Sequence, residues 1–194
     1  MADERNLEIR WQPISLLFKN DPPEGSESRT YTEITHGHLR IMESVRDAAD
    51  SPEAANHDIG RLYWELGSRI HHDGALDIDP VEVLETLGLD TSHAAAATDP
   101  KWDEAIRTRM DEGLALVGDD VGTPIIATER SDGTRVGYFG PVITKIPRGE
   151  MALKLWDGLD AMLETDGFFE LKKTRSEMPD FGERPEPLAA PKGR

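Results

Sequence analysis

The residues of this chain with chemistry to offer are few: six histidines, no cysteine, and a Thr123-Pro124 step ahead of an apolar run. The missing thiol removes disulfides, thiolate metal sites and any cysteine nucleophile at once. His36, His38, His57 and His93 are scattered, and no His-Glu-x-x-His pair puts two imidazoles on one helix face, so no metal site is expected. His71-His72 closes a helical stretch, where a histidine pair reads first as a partner for the negative end of the helix dipole. An acid-base role would need other groups to converge on it. Asp119-Asp120 reads as a solvated turn, and Trp102 and Trp156 as core side chains. Neither a Gly-rich phosphate loop nor a Gly-x-Ser-x-Gly elbow occurs. The Thr123-Pro124 step remains. Proline cannot donate to a sheet ladder, so Pro124 must head a strand, lie at an edge, or mark a functional opening. From the residues alone its peptide bond reads as trans, since only about one X-Pro bond in twenty is cis. Spacing by itself names no reaction.

These residues must be positioned by a hairpin and the helices before it. Ile125-Ile126-Ala127 and the run through Val136, Tyr138 and Phe139 flank Ser131-Asp132-Gly133-Thr134, a hairpin turn signal. Upstream, Leu7, Ile9 and Trp11 alternate with polar residues and read as a half-buried strand ending at Pro13. Residues 20–26 read as a loop. Helical period begins at His36, with Leu39, Met42, Val45 and Ala49 on one face, closed by Asp50-Ser51-Pro52. A second helix carries Ile59, Leu62, Tyr63, Leu66 and Ile70. A third has Asp79 as N-cap, Pro80 first, Glu82 completing a capping box and Gly88 as stop; a fourth runs from Asp99-Pro100 to Gly118. Met151, Leu155, Trp156, Leu159, Met162 and Leu163 mark a fifth. The proposed segments are therefore a strand segment at 7–20, a helical subdomain at 36–118, a hairpin and helix at 119–171, and a flexible proline-rich tail at 172–194.

The charge balance narrows the partners. With 38 acidic against 22 basic residues the net charge is -16, which repels phosphate backbones, so nucleic-acid binding is not expected. No apolar run is long enough for a membrane span, and the charged start from Met1 to Arg5 does not read as a signal peptide. A cytoplasmic setting is the expectation.

Several stretches together carry a resemblance. Asp120-Val-Gly-Thr-Pro-Ile-Ile126, Tyr138-Phe-Gly-Pro-Val-Ile-Thr-Lys-Ile-Pro-Arg-Gly-Glu150, Leu155-Trp-Asp157 and Phe168-Phe-Glu-Leu-Lys172 follow one another as in the actinobacterial, DsbA-like mycothiol-dependent nitroreductases. Gly67-Ser-Arg-Ile-His71 and Ile14-Ser-Leu-Leu-Phe-Lys-Asn20 match as well, so the chain from Leu7 to about Thr174 resembles that family. The resemblance implies an α/β, thioredoxin-like (DsbA-like) fold with an inserted all-helical subdomain. It implies an oxidoreductase that uses the low-molecular-weight thiol mycothiol against a small-molecule substrate, with no metal. It also makes Thr123-Pro124 a cis-proline step whose backbone docks the thiol substrate, reversing the reading from base rates. Asn20, Tyr31 and His71 would face the pocket, Tyr31 from a loop, and Gly140-Pro141 would support it.

In that family a Cys-Pro-Trp-Cys motif on a preceding strand-helix unit does the thiol chemistry, and this sequence contains no such motif. The resemblance therefore implies an incomplete thioredoxin-like fold, an exposed apolar groove or a forced pairing of strands, self-association (a homodimer among the outcomes), and a chain inactive alone, with no catalytic residue of its own. Two alternatives share the scaffold: a kappa-type glutathione transferase or isomerase using serine, and a non-catalytic binding module.

Overall fold

The computed structural model describes residues 2–189, a mixed α/β chain that is mostly helical with one two-stranded sheet. In chain order the elements are α1 (Ala2–Arg5), α2 (Leu16–Asn20), α3 (Glu27–Ala48), α4 (Pro52–His71) and α5 (Pro80–Leu87). A 3-10 segment (Thr91–Thr98) and a 3-10 turn (Pro100–Trp102) lead into α6 (Asp103–Val117). Then come β1 (Ile125–Glu129), β2 (Arg135–Phe139) and α7 (Glu150–Glu164). Two compact units divide the chain: residues 10–110 with 183 onward, and residues up to 9 with 111–182.

The first unit is built on helix periodicity. Ile41, Met42 and Val45 of α3, Ile59, Leu62 and Leu66 of α4, and Val83, Leu84 and Leu87 of α5 form one buried cluster, none more than 7% exposed. Burying side chains of this size contributes roughly 1.5 to 3 kcal/mol each. Asp79 acts as the start signal the sequence implies, accepting from the Val81 backbone N–H, while Ser26 and Ser51, not read as caps, accept from the Arg29 and Ala54 N–H groups. Glu82 takes a different partner from the expected capping box, accepting from Arg69 Nη1 at 3.2 Å. Gly88 closes α5 in the left-handed region at φ 65°. Tyr63, placed on the apolar stripe from sequence, is 53% exposed, and its ring packs at 5.0 Å against Trp11 instead.

Helix α3 starts nine residues before the periodic stretch that announces it, so Tyr31 lies in a helix and not in a loop. Thr30, Thr32 and Thr35 obscure that turn, because β-branched residues with local hydroxyl partners are poor helix signals. In the structure the Thr32 hydroxyl donates to the Ser28 carbonyl at 2.9 Å, within the helix. The expected strand at residues 7–12 is irregular backbone. Its backbone groups are taken by helix side chains: the Trp11 N–H donates to Asn56 Oδ1 at 2.8 Å, and the Trp11 carbonyl accepts from Arg46 Nη2 at 3.0 Å. With those groups engaged there is no ladder for a neighbouring strand to read. Residues 16–20 form α2, capped by Ser15.

In the second unit β1 and β2 pair antiparallel with Ile125 opposite Phe139 and Glu129 opposite Arg135. The turn closes through Arg130 N–H to the Thr134 carbonyl at 2.9 Å, with Gly133 at φ 85°. A lone hairpin is marginal in water, so its neighbours supply the support. A Cβ on Gly137 would lie 3.1 Å from the Leu116 Cβ of α6, which shows how closely that helix approaches. Arg130 donates to the Leu163 carbonyl at the end of α7 at 2.7 Å, and Arg5 holds Asp157 of α7 through two bonds of 2.6 and 2.7 Å. Helix α7 buries Leu159 and Leu163, but Met151 and Leu155 on its stripe are 63% and 38% exposed. The tail expected to be unstructured has partners: the Asp180 N–H donates to the Thr144 carbonyl at 2.7 Å.

Candidate functional site

The chemistry-bearing loop of the hairpin unit is made where β1 begins and β2 ends. Both Thr123-Pro124 and Gly140-Pro141 peptide bonds are cis, and the Gly140 N–H donates to the Pro124 carbonyl at 2.7 Å. This bond carries the ladder one step past the Ile125–Phe139 pair and brings the two prolyl segments together. Gly140 has φ 106° and is buried, a setting that favours glycine. Gly122 allows the loop to lie on the Phe139 ring, since a Cβ there would meet Cε2 at 3.3 Å. Thr123 and Pro124 are exposed. Among the described residues, the Thr123 backbone N–H and carbonyl have no intramolecular partner. Phe139, Val142 and Ile143 are 43%, 53% and 43% exposed. The result is an open backbone edge next to apolar surface, able to take an extended, amide-bearing ligand and lacking a thiol.

Asn20, Tyr31 and His71 belong to the helical unit. Asn20 ends α2 and is exposed, Tyr31 is half-buried in the second turn of α3, and His71 is the exposed last residue of α4. No hydrogen bond links Asn20 to Tyr31 among the described residues. Crowding by neighbouring atoms, and then the adjacent His72, hold the His71 imidazole below its ordinary pKa.

A cluster that sequence reasoning passed over lies beneath α2. Ser15 Oγ is 2.9 Å from His36 Nδ1, and His36 Nε2 is 3.0 Å from Asp103 Oδ1. Asp103 also accepts two bonds from Arg40, at 2.6 and 2.8 Å. Arg40 first, against the opposing effect of burial, keeps the Asp103 carboxyl below the usual carboxylate range. Burial is the largest effect on His36 and holds it below the ordinary imidazole value, despite the Asp103 bond. A neutral His36 facing an ionised carboxylate must present Nε2–H to Asp103 and a bare Nδ1 to the Ser15 hydroxyl. That is the connectivity of a serine nucleophile with its base and carboxylate. Ser15, however, is only 1% exposed, and its oxygen also accepts from the Phe18 N–H at 3.2 Å. The Phe18 ring covers His36 at 4.4 Å, and Arg107 covers Phe18 at 3.5 Å. No substrate atom reaches such a hydroxyl, so the cluster is a clasp joining α2, α3 and α6. The spacing of residues 15, 36 and 103 matches no motif, so no sequence signal joins them.

Among the described residues no group of three or more His, Cys, Asp or Glu side chains is placed to hold a metal ion. Among the same described residues no helix is long and apolar enough to cross a membrane. The family model described as Rv2466c-like, mycothiol-dependent nitroreductase Rv2466c, matches residues 1–173 and so takes in both prolyl segments, the clasp and every element from α1 to α7. The chain belongs to the Rv2466c-like mycothiol-dependent nitroreductase family.

Proposed function

We propose that this chain supplies the docking half of a DsbA-type, thiol-dependent oxidoreductase, with mycothiol as the reducing thiol and a nitro or disulfide compound as the small-molecule substrate, on a thioredoxin-like scaffold with an inserted helical subdomain. The observation that carries the reading is the exposed Thr123 backbone, without an internal partner, beside Pro124 in a family member. Its N–H and carbonyl suit the amide of a cysteine-derived thiol, and Phe139, Val142 and Ile143 offer apolar surface next to it. Mycothiol when bound supplies the thiol for reduction. Thr123 pairs with the ligand backbone, Pro124 and Pro141 shape the floor, and Gly140 fixes the Pro124 carbonyl so that it stays out of the ligand's way. Asn20, Tyr31 and His71 are assigned to the pocket by the family resemblance, Asn20 and Tyr31 as hydrogen-bonding groups and His71 as a proton-bearing one. With no cysteine among its 194 residues, the polypeptide has no thiolate of its own for thiol–disulfide exchange.

The test is mycothiol binding by calorimetry, with Thr123→Pro as the probe because it deletes the proposed N–H donor. Losing one backbone hydrogen bond of about 1.4 kcal/mol weakens binding roughly tenfold. Unchanged affinity in a variant with an unchanged circular dichroism spectrum would remove Thr123 from the site. Steady mycothiol-dependent nitroreduction by this cysteine-free chain would overturn the assignment of docking alone.

A further inference from the structure

The hairpin ladder leaves one row of β1 backbone groups open. The Arg130 N–H donates to the Thr134 carbonyl at 2.9 Å and the Gly140 N–H to the Pro124 carbonyl at 2.7 Å, one at each end of the pairs that run from Ile125–Phe139 to Glu129–Arg135. Inward-bonding residues alternate along an antiparallel strand. Pro124, Ile126, Thr128 and Arg130 therefore face β2, and the N–H and carbonyl groups of Ile125, Ala127 and Glu129 face away from it. Among the described residues those outward groups have no intramolecular partner, and Ala127 and Glu129 are exposed.

Edge strands are normally defended by a lysine, a proline, a bulge or a covering loop. Between Pro124 at its head and Glu129 at its end, β1 has none of these. Ile125-Ile126-Ala127-Thr128 is uncharged, β-branched at every position but Ala127, and paired to β2 without a bulge. The outward row of β2 has Gly137 at its centre, and glycine weakens a strand interior. The better template is β1.

The β1 row also fits itself. Two copies laid antiparallel about a twofold axis at Ala127 overlap over the whole of Ile125–Glu129, pairing Ile125 with Glu129 and Ala127 with Ala127. Each of these pairs exchanges two bonds, so every outward N–H and carbonyl of β1 is satisfied. On the opposite face Ile126 meets Thr128, a β-branched pair of the kind that stabilises sheets. Sliding the strands until Glu129 faces Glu129 would lose pairs and oppose two carboxylates. A foreign strand would have to match this row, whereas a second copy does so by symmetry. In this register Thr123-Pro124 of each copy lies opposite Arg130-Ser131 of the other, which covers the backbone edge assigned above to the thiol.

We propose that β1 is a self-pairing edge: two copies join through Ile125–Glu129 into a four-stranded sheet, and this pairing and a thiol docked at Thr123 exclude one another. The pairing stands on the ladder alone; its competition with the thiol rests on the proposed function.

The test uses the full chain, in which a single introduced cysteine has no competitor. In the proposed register the two Ala127 Cα atoms lie about 5.5 Å apart, within disulfide range, and the two Glu129 Cα atoms roughly 14 Å apart. Under mild oxidation Ala127→Cys should link into dimers at least severalfold faster than Glu129→Cys. Sedimentation velocity in about 0.15 M salt, which screens the net charge of -16 on each copy beyond about 8 Å, should show a wild-type dimer whose share rises with concentration. Ala127→Pro deletes an outward N–H and spares the bonds to β2, so it should weaken the dimer about tenfold or more with an unchanged circular dichroism spectrum. Mycothiol at about ten times its dissociation constant should weaken wild-type pairing about a hundredfold, because both copies must release it. A wild-type chain monomeric up to millimolar concentration, or equal linking rates at 127 and 129, would overturn the pairing. Undiminished pairing with mycothiol shown by calorimetry to be bound would uphold the pairing and overturn the competition. If no mycothiol binds, the proposed function fails and the two cysteine variants still decide the edge.

Discussion

Asp103→Asn is the sharpest probe of the clasp under α2. The carboxylate accepts from Arg40 at 2.6 and 2.8 Å and from His36 at 3.0 Å, with Asp103 25% and Arg40 18% exposed at the side chain. An amide oxygen in the Oδ1 position can still accept from Arg40 Nε and His36 Nε2, but its NH₂ then faces Arg40 Nη2, and the negative charge is lost. Arg40 would keep one outside acceptor, the Ala97 carbonyl at 3.2 Å. Breaking a fully buried pair costs about 3 to 5 kcal/mol; with a quarter of Asp103 in water, about 2 to 3 is the expected loss. For a chain of this size each kcal/mol moves the melting temperature by about 2 to 4 °C, so the midpoint should fall by about 4 to 12 °C. A double-mutant cycle between Arg40→Met and Asp103→Leu, read by urea unfolding, isolates the pair and should show a coupling of about 1 kcal/mol or more. Additive effects within about 0.3 kcal/mol, or a shift in midpoint under about 1 °C for Asp103→Asn, would refute the clasp.

Three further predictions concern other parts of the fold. His36 and His38 are both held below the ordinary imidazole range, burial being the first cause for each; the unfolded chain then binds more protons below about pH 6.5, so this stability is complete above that pH and is lost as pH falls toward the folded values. Urea midpoints should drop between pH 7.5 and 5 and drop less in His38→Phe, and a flat profile would contradict the assignment. Gly60→Ala puts a Cβ 2.7 Å from Trp11 Nε1, so overpacking of about 1 to 3 kcal/mol should outweigh a helix-propensity gain of about 1; a higher melting temperature would be the contrary result. Arg130→Ala removes donors to the Leu163 and Thr165 carbonyls at 2.7 and 3.3 Å, and should speed amide exchange in residues 125–139 while the α3–α5 core keeps its protection. Uniform loss of protection would mean the hairpin does not open locally.

What the sequence disclosed followed from local rules. The caps at Asp79 and Gly88, the stop at Gly118 and the Asp132-Gly133 turn are contacts within a few residues, and each appears where its residue type places it. The α3–α5 core was readable because a buried stripe repeats at helical period. Longer-range competition was not readable. Of the alternating residues Leu7 and Trp11 are partly covered but Ile9 is 47% exposed, and whether such a segment becomes a strand depends on its partners, here Asn56 and Arg46, which lie 45 and 35 residues from Trp11. Ser15, His36 and Asp103 are joined across 88 positions, with no periodicity to connect them. The charge count gives no sign that Glu43 is 3% exposed, its charge met by Arg46 at 3.2 Å and Arg109 at 2.9 Å. At the prolyl loop, residue chemistry pointed to an opening and family resemblance gave it a ligand, while the bond between Gly140 and the Pro124 carbonyl joins residues sixteen apart with no local signal.

The central claim is that the Thr123-Pro124 and Gly140-Pro141 segments dock a mycothiol-type thiol. The most direct measurement is an amide chemical-shift titration of the full chain with mycothiol. Saturable shifts centred on Gly122, Thr123 and Gly140, lost in Thr123→Pro, are the predicted result. Shifts confined to residues elsewhere, or none at millimolar mycothiol, would contradict it.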